Sequence, residues 1–356
     1  MSSFAPDDRL PVGKLPSALL ERLLAANSID DPSVLVGPGI GRDAAAFLLD
    51  SGVVVAKSDP ITFAAAGAAD YLVDVNANDL ACMGATPRYL LVTALFPDGT
   101  LVSDVERHFL DLGAAARRRG ISLVGGHTEV TAGIDRPILV GMMLGVAEES
   151  GLIVPGNAQP GDRLMLSGAI AVEGTSLLAN ELCAKLRSAV PESVLQRAMH
   201  FVREPGISVS GVARALTPLA GVRALHDPTE GGLGMGVREI AMASGCGAEI
   251  DLARVPVHPE TVAIAAALGL NPLGMLASGS LLAAVAPDAA PSAVAAANAA
   301  GASLSDIGML LPDGAGFWMV SGAGREPIPE WTTDEVSRAL AAAVPGPAKA
   351  RMGAGQ

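Results

Sequence analysis

The sequence predicts an α/β protein built from two successive halves, and three observations support this fold class. Predicted strands and helices alternate over roughly 120 residues of the first half, which is typical of α/β layers. Turn signals then cluster at Pro155-Gly156 and Pro160-Gly161-Asp162, and the same mixture resumes after them. The chain has 356 residues, half of them hydrophobic, which is enough for one large domain or two ordinary ones.

The first half is predicted to start with a helix at residues 16–26, whose leucines share one side. An apolar strand at 53–56 precedes a helix at 69–83, which ends at Gly84, a residue type that commonly terminates helices. A strand at 90–95, a helix at 102–119, and strands at 121–124 and 138–146 complete this half. The predicted domains are therefore 1–153 and 154–330, followed by a C-terminal helix and flexible tail at 331–356.

The second half repeats the mixture of elements. Strands are predicted at 163–166, 222–226, 281–285, 304–309 and 316–320. Helices are predicted at 173–186, 192–201 and 233–244, the last one opening directly after a glycine-rich turn.

Composition excludes several classes of function. The formal net charge is −13 and the sequence pI is about 4.8, so phosphate backbones and anionic membranes are repelled, and neither nucleic acid nor membrane is an expected partner. An anionic substrate would need a local cation, for which a metal ion is the obvious candidate. The N-terminus lacks signal-peptide features and no apolar run reaches membrane-spanning length, so a cytoplasmic location is expected.

Familiar catalytic motifs are missing from the sequence. It contains no G-x-x-x-x-G-K-[ST] loop, no G-x-G-x-x-G after a strand, no G-x-S-x-G and no H-E-x-x-H. P-loop NTPases, Rossmann dehydrogenases, α/β-hydrolases and zinc peptidases are therefore poor fits. The three cysteines have no metal-ligand spacing and are expected to be reduced.

Five short segments instead place polar residues beside glycine turns or predicted strand ends. Asp43 follows the glycines of residues 37–41, Asp59 ends an apolar strand, and Asn76 and Asp79 share one helix face. Residues 125–128 read GGHT after another strand, and residues 226–234 read HDPTEGGLG between a strand and a helix. Each segment alone could be an ordinary turn or a solvated polar stripe.

Taken together, the segments predict a magnesium–nucleotide site. The carboxylates of Asp43, Asp59, Asp79 and Asp227 are the hard oxygen ligands that Mg²⁺ prefers, and Mg²⁺ completes its shell with water and substrate phosphates. The helix that opens after the glycines at 231–232 offers unpaired N–H groups to phosphate oxygens. Metal would also let so acidic a chain bind ATP.

At these residues the sequence resembles the AIR synthase, or PurM-like, superfamily. Residues 41–45 (GRDAA) resemble its G-D-D-A-A, residues 76–85 (NANDLACMGA) its N-x-N-D-x-A-x-M-G-A, and residues 227–233 (DPTEGGL) its D-P-T-x-G-G-L. The superfamily includes aminoimidazole ribonucleotide synthetase, selenophosphate synthetase, thiamine-monophosphate kinase and HypE. Among these groups, the sequence motifs of this chain resemble those of the HypE group most.

The resemblance implies a two-domain PurM-like fold. Its N-terminal mixed sheet would form a barrel with that of a second copy, giving a homodimer, and its C-terminal domain would be an α/β sandwich. ATP would lie across the dimer cleft, with its phosphates bound to magnesium ions, and the N-terminal domain would be the ATP/Mg-binding and dimerisation domain.

The family's functional residues are assigned to this sequence by their positions in the matching motifs. The resemblance implies metal ligation by Asp43, Asp59, Asp79 and Asp227, and catalytic roles for Asp79, Asp227 and Asn76. The implied nucleotide-binding residues are Lys14, Gly39, Gly41, Arg42, Gly125, Gly126, His127, Thr128, Thr229, Gly231 and Gly232.

Departures from the family pattern shape the functional hypotheses. HypE members end in Pro-Arg-x-Cys, whereas the last cysteine here is Cys246, so carbamoyl chemistry is not expected unless a partner supplies the thiol. His127 replaces an Asp of G-G-D-T, and Arg42 replaces the first Asp of G-D-D. The main hypothesis is an ATP-dependent enzyme that phosphorylates an oxygen or similar atom of a small acceptor, with a maturation-type protein as a further candidate partner. The alternatives are a kinase of the thiamine-monophosphate type and a non-catalytic, nucleotide-binding dimeric scaffold.

Overall fold

The computed structural model describes residues 5–10, 13–14, 17–27, 30–32, 34–36, 46–47, 53–62, 67–154, 156–331 and 333–343. The helices of this part of the chain are α1 (Ser17–Ala25), α2 (Ala68–Cys82), α3 (Val102–Arg118), α4 (Val172–Glu181), α5 (Cys183–Leu186), α6 (Glu192–Met199), α7 (Ser210–Leu216), α8 (Gly232–Ala243), α9 (Pro259–Leu268), α10 (Ala290–Ala299) and α11 (Glu335–Ala343). The strands are β1 (Gly13–Lys14), β2 (Val34–Val36), β3 (Ala46–Phe47), β4 (Val53–Ile61), β5 (Thr86–Pro97), β6 (Ser122–Thr131), β7 (Ile138–Ala147), β8 (Arg163–Ser167), β9 (Val222–His226), β10 (Gly247–Asp251), β11 (Leu281–Val285), β12 (Leu304–Leu311), β13 (Phe317–Ser321) and β14 (Gly324–Pro327).

The first half is organised around a mixed sheet with the strand order β1-β6-β5-β7-β4. Strands β5 and β6 are parallel, and the other neighbours are antiparallel. Helices α2 and α3 share one hydrophobic core with this sheet, in which Leu72 and Leu80 of α2 meet Leu90 and Met143 of the strands. The predicted mixed N-terminal sheet is confirmed.

Helix α2 approaches β7 closely because β7 has glycines where the two elements touch. A Cβ atom on Gly141 would lie 2.7 Å from Asn76 Nδ2, and one on Gly145 would lie 2.8 Å from Leu80 Cδ2. Both distances are shorter than a van der Waals contact, so any side chain at these positions would push the helix outward. The glycines thus set the height of α2 above the sheet.

The second half contains a seven-stranded sheet of order β14-β13-β10-β12-β8-β11-β9. Helices cover both of its faces, so its central strands alternate between two cores. In β8, Leu164 and Leu166 pack into the core with α4 and α8, while Met165 packs into the core with α7 and α10. A strand buried on both faces reads as a continuous apolar run, as β11 does. The predicted C-terminal α/β layering is confirmed.

Two predicted strand ends are wrong because pairing continues past them. Strand β4 runs on to Ile61 and places Asp59 opposite Gly141, inside the ladder and not at its end. Strand β6 runs on to Thr131, so the GGHT segment is a strand and not a turn. The glycine at 126 permits this, because its Cβ would lie 1.8 Å from the Val92 carbonyl oxygen of β5.

Other predictions differ in smaller ways. The helix predicted at 173–186 is divided into α4 and α5, because Leu182 leaves helical geometry with φ −108° and ψ 20°. The predicted boundary between the domains, near residue 153, stays a prediction. Among the described helices, none has the length and apolar character needed to cross a bilayer.

Candidate active site at the junction of the two halves

Strand β4 presents two charged side chains toward α2. Lys57 and Asp59 are two residues apart, so they lie on the same face of the strand. Lys57 Nζ lies 3.3 Å from Asp59 Oδ2 and 3.0 Å from Oδ2 of Asp79 on α2. Burial works against the ammonium charge, but Asp79 and Asp59 outweigh it and the pKa of Lys57 is raised. The lysine therefore stays charged between two carboxylates.

The end of α2 supplies the polar side chains that its sequence predicted. Asn76 is fully buried, and its Nδ2 donates to the Leu72 carbonyl oxygen at 2.9 Å. Its Oδ1 has no hydrogen-bond partner in the described part of the structure. Burial raises the pKa of Asp79, Lys57 opposes this effect, and the charge of Asp59 adds to it. Asn76 and Asp79 thus lie on one face of the helix beside β4, Asn76 buried and Asp79 partly exposed.

Strand β9 delivers Asp227 at its end, as predicted. Asp227 is 2% exposed. Burial raises its pKa to about 7, the charge of Asp79 adds to this effect, and His226 and the Cys82 thiol oppose it. Its Oδ2 is buried and lacks a hydrogen-bond partner among the described residues. An orphaned carboxylate oxygen inside a protein is uncommon and calls for an ion, a water or a ligand.

Three of the four predicted metal ligands lie near enough to affect one another's charge. Asp59 comes from β4, Asp79 from α2 and Asp227 from the end of β9, and the charges of Asp59 and Asp227 each interact with that of Asp79. The fourth predicted ligand, Asp43, lies outside the described residues, as do Gly39, Gly41 and Arg42. Carboxylates from both halves of the chain thus lie near one another, and their role as metal ligands stays a prediction.

His226 forms the edge of this cluster. Its Nε2 lies 2.8 Å from Oε2 of Glu239 on α8. Burial lowers the pKa of His226, but the hydrogen bond to Glu239 and the charge of Asp227 outweigh it, so the pKa is raised. When this imidazole is protonated, it balances part of the charge of Asp227 and Asp79.

The predicted phosphate residues of β6 lie elsewhere in the sheet. Strand β6 is separated from β4 by β5 and β7, and three strand spacings amount to about 14 Å. His127 Nε2 lies 3.1 Å from Glu129 Oε2, and Glu129 is opposite Lys14 of β1 in the ladder. Gly125, Gly126, His127 and Thr128 therefore group with the backbone of Lys14, and the structure does not bring them to the aspartate cluster within one chain.

The glycine turn before α8 already uses its N–H groups. Gly231 N donates to Asp334 Oδ2 at 2.8 Å, and Gly232 N donates to the Thr229 carbonyl oxygen at 3.0 Å. Asp334 also caps α11, since its Oδ1 accepts from Val336 N at 2.7 Å. A phosphate at the Gly231 amide would have to displace a buried carboxylate.

Glu173 is a site residue that the sequence analysis missed. It is buried in the first turn of α4 beside Ser278. Burial raises its pKa to about 7, the Ser278 side chain opposes this effect, and the charges of Glu230, Asp334 and Asp59 add to it. The sequence did contain a signal, because this is the one acidic residue in the apolar run at 169–179. Burying a charged carboxylate together with such a helix costs free energy.

Comparison with known proteins identifies the family. The model of the N-terminal domain of AIR synthase related proteins matches residues 41–147, and that of the C-terminal domain matches residues 159–320. Carbamoyl dehydratase HypE of Cupriavidus necator is 30% identical over 306 residues, which cover 83% of this chain and 84% of HypE. The chain belongs to the AIR synthase related protein family. The resemblance drawn from its motifs is confirmed.

Solved structures agree with the observed fold of this AIR synthase related protein. Hydrogenase maturation protein HypE in complex with ATP has a TM-score of 0.76 at 22% identity, covering 91% of this chain and 97% of that one. Thiamine-monophosphate kinase from Stenotrophomonas maltophilia K279a has a TM-score of 0.67 at 21% identity, covering 88% and 98%. A HypE–HypF complex has a TM-score of 0.66 at 21% identity, covering 88% and 99%. The PurM-like fold is confirmed, and the chain is an enzyme of this family.

Proposed function

We propose that this protein is a Mg²⁺-dependent, ATP-using enzyme that phosphorylates an oxygen, or a similar atom, of a small acceptor. The observation that carries the proposal is the convergence of Asp59, Asp79 and Asp227 from three separate elements. Support comes from HypE, which shares the fold and has been crystallised with ATP. Carbamoyl dehydratase and thiamine-monophosphate kinase, both enzymes by name, lie among its relatives.

The oxygen atoms of the cluster fit Mg²⁺. Three of them, Asn76 Oδ1, Asp79 Oδ2 and Asp227 Oδ2, are buried without a hydrogen-bond partner in the described residues. Within that part of the chain, no three His, Cys, Asp or Glu side chains form a ready-made metal site. Magnesium takes one or two protein carboxylates and fills its remaining positions with water and phosphate. When bound, it would supply neutralisation of the charge on the phosphoryl group being transferred.

The side chains of α2 and β9 have distinct roles in this proposal. Asp79 and Asp227 would hold the metal, with Asp59 beside them. Asn76 donates its amide to Leu72, so the atom that it offers to the site is an acceptor oxygen. An acceptor suits a cation or its bound water and not a phosphate oxygen. Asn76 is therefore proposed to orient the metal shell.

We further infer a homodimer, as the family resemblance implied. Side chains along the strands of the first sheet point alternately to its core side and to its outer side, and the outer side exposes apolar side chains. Val54 on β4 and Met142 on β7 are each 45% exposed, and their strands are neighbours in the ladder. A second copy on this face would bury them and would also offer the aspartate cluster a β6 segment from another chain. A maturation-type partner is proposed by analogy with the HypE–HypF complex.

Asp79→Asn tests the proposal. The substitution keeps the size of the side chain but removes its negative charge, so a bound metal loses part of its electrostatic support. We expect Mg²⁺-dependent ADP release to fall by about 100-fold or more, the scale at which positioned charges act in active sites. Turnover is measured with ATP and Mg²⁺, with and without carbamoyl phosphate, thiamine phosphate and a metabolite pool.

The matched control is Asp288→Asn, because Asp288 is an exposed aspartate far along the chain from the cluster. It is expected to retain wild-type turnover. Unchanged turnover in Asp79→Asn would reject the metal role of Asp79. Selective stimulation by thiamine phosphate would instead favour a kinase of that type, and ATP binding without any turnover would favour a scaffold.

A further inference from the structure

Lys57 occupies the position between two carboxylates that the proposed function assigns to metal. Its Nζ contacts Oδ2 of Asp79 at 3.0 Å and Oδ2 of Asp59 at 3.3 Å. The three side chains retain between 28% and 36% of their exposure, so the group opens toward solvent and a ligand can reach it. An ammonium group is a compact point charge on a flexible stem, which lets it change partners.

A metal ion and this ammonium group would compete for the same oxygens. Nζ lies within ion-pair distance of carboxylate oxygens that a cation would need, and two cations at close range repel each other in a partly buried site. Magnesium binding near Asp79 therefore requires the lysine to move away. The lysine then needs an anion, and the phosphates that arrive with magnesium are the nearest candidates.

We propose that Lys57 is a built-in counter-ion that pairs with Asp59 and Asp79 and moves to a phosphate oxygen of the nucleotide when the metal binds. This inference rests on the proposed function and adds a residue to it. Without metal, Lys57 holds the two carboxylates charged and close together. In the loaded site, it becomes a phosphate ligand, so metal and nucleotide favour each other's binding. Lys57 is thus a binding residue as well as a competitor of free Mg²⁺.

Lys57→Met separates the two roles. The variant keeps an unbranched apolar stem and loses the charge, so free Mg²⁺ no longer competes with an ammonium group. We expect the dissociation constant for Mg²⁺ alone, measured by titration calorimetry, to fall about tenfold. The affinity for a non-hydrolysable ATP analogue in saturating Mg²⁺ is expected to fall by about 100-fold. These opposite changes are the signature of the proposed exchange, because a merely structural lysine would weaken both.

Two further variants complete the experiment. Lys57→Arg keeps the charge and should retain most of the nucleotide affinity. Lys185→Met removes an exposed lysine of α5 and should change neither constant. Circular dichroism checks that each variant is folded, and if Lys57→Met does not fold, Lys57→Gln replaces it.

The outcomes also distinguish this inference from the proposed function. If Lys57→Met binds both Mg²⁺ and the analogue like the wild type, the role of Lys57 is rejected even if the wild type turns over ATP. If Lys57→Met weakens Mg²⁺ binding, the lysine is not a competitor and the inference is equally rejected. Failure of the wild type to bind the analogue in Mg²⁺ would overturn the proposed function and the phosphate role together.

Discussion

Glu173 shows how strongly burial acts on a single carboxyl group in this protein. Its side chain lies in the first turn of α4, and burial raises its pKa from 4.5 to about 7. The nearby Ser278 hydroxyl is buried and has no partner of good hydrogen-bond geometry among the described residues. Around neutral pH, Glu173 therefore exchanges a proton while facing the charges of Glu230 and Asp59.

Replacing Glu173 by Gln should change how stability depends on pH. A carboxyl group with a raised pKa in the folded state favours folding at low pH, and this contribution is lost as the pH rises from about 4.5 to about 7. Gln is neutral throughout. We expect the two proteins to have similar free energies of unfolding at pH 4.5 and the variant to gain on the order of 3 kcal/mol relative to wild type by pH 8. Urea unfolding at several pH values measures this difference.

Glu181→Gln is the control for this experiment, because Glu181 ends the same helix and is exposed. Its stability should follow the wild-type pH profile. A constant difference between wild type and Glu173→Gln across the whole pH range would show that Glu173 does not carry the raised pKa.

Helix α2 is the element that organises the site. One side of it lies on the glycines of β7, which brings Asn76 and Asp79 beside β4. Near its start, Asp70 pairs with Arg203 of the second half at 3.0 Å. Near its end, the amide of Asn78 reaches the second half as well. The helix thus joins both halves while presenting the face that is proposed to bind metal.

Asn78→Ala tests this connection. Asn78 is fully buried, its Nδ2 donates to the Ile207 carbonyl oxygen at 2.8 Å, and its Oδ1 accepts from Val209 N at 2.8 Å. The substitution leaves two buried backbone groups without partners, and each such group costs about 1–3 kcal/mol. We expect the free energy of unfolding to fall by about 3 kcal/mol in chemical denaturation.

Asn298→Ala provides the comparison, because Asn298 is exposed near the end of α10. It should change the free energy of unfolding by less than about 0.5 kcal/mol. An equally small effect of Asn78→Ala would mean that the two halves are held together by other contacts.

At the scale of the whole molecule, the outer face of the first sheet exposes apolar side chains in the described part of the chain. Met142 and Val54 are large apolar side chains that remain almost half exposed there. Apolar patches of this kind, next to a buried sheet face, are common where two copies of a protein associate. The proposed homodimer would use this face.

Met142→Glu should weaken that association. It places a charge in the centre of the apolar face, which is costly to bury without a partner. We expect the dimer dissociation constant to rise at least about tenfold, roughly 1.4 kcal/mol, measured by sedimentation equilibrium. Met242→Glu is the control, since Met242 is 61% exposed on α8 and lies outside the face. A monomeric wild type, or equal dimerisation of both variants, would contradict the proposed interface.

The sequence by itself determined the family and the two α/β halves, and it predicted the acidic residues of the candidate site. The shared position of Asn76 and Asp79 could be predicted because helical periodicity alone places them on one face. Asp227 could be predicted as a site residue because it directly follows the strand predicted at 222–226, which the structure has as β9. These features depend on residues close together in the chain. The sequence analysis missed helices α9 and α10. Their alanine-rich sequences show no apolar stripe, so helical periodicity could not reveal them.

Only the tertiary structure decided which side chains meet. Strand pairing carried β4 past its predicted end and set Lys57 between Asp59 and Asp79. Sheet order placed His127 three strands away from them, and α11 brought Asp334 onto the Gly231 amide. Burial then gave Glu173 its raised pKa. Register, strand order and burial arise from contacts between residues distant in the chain, and local patterns do not encode those contacts.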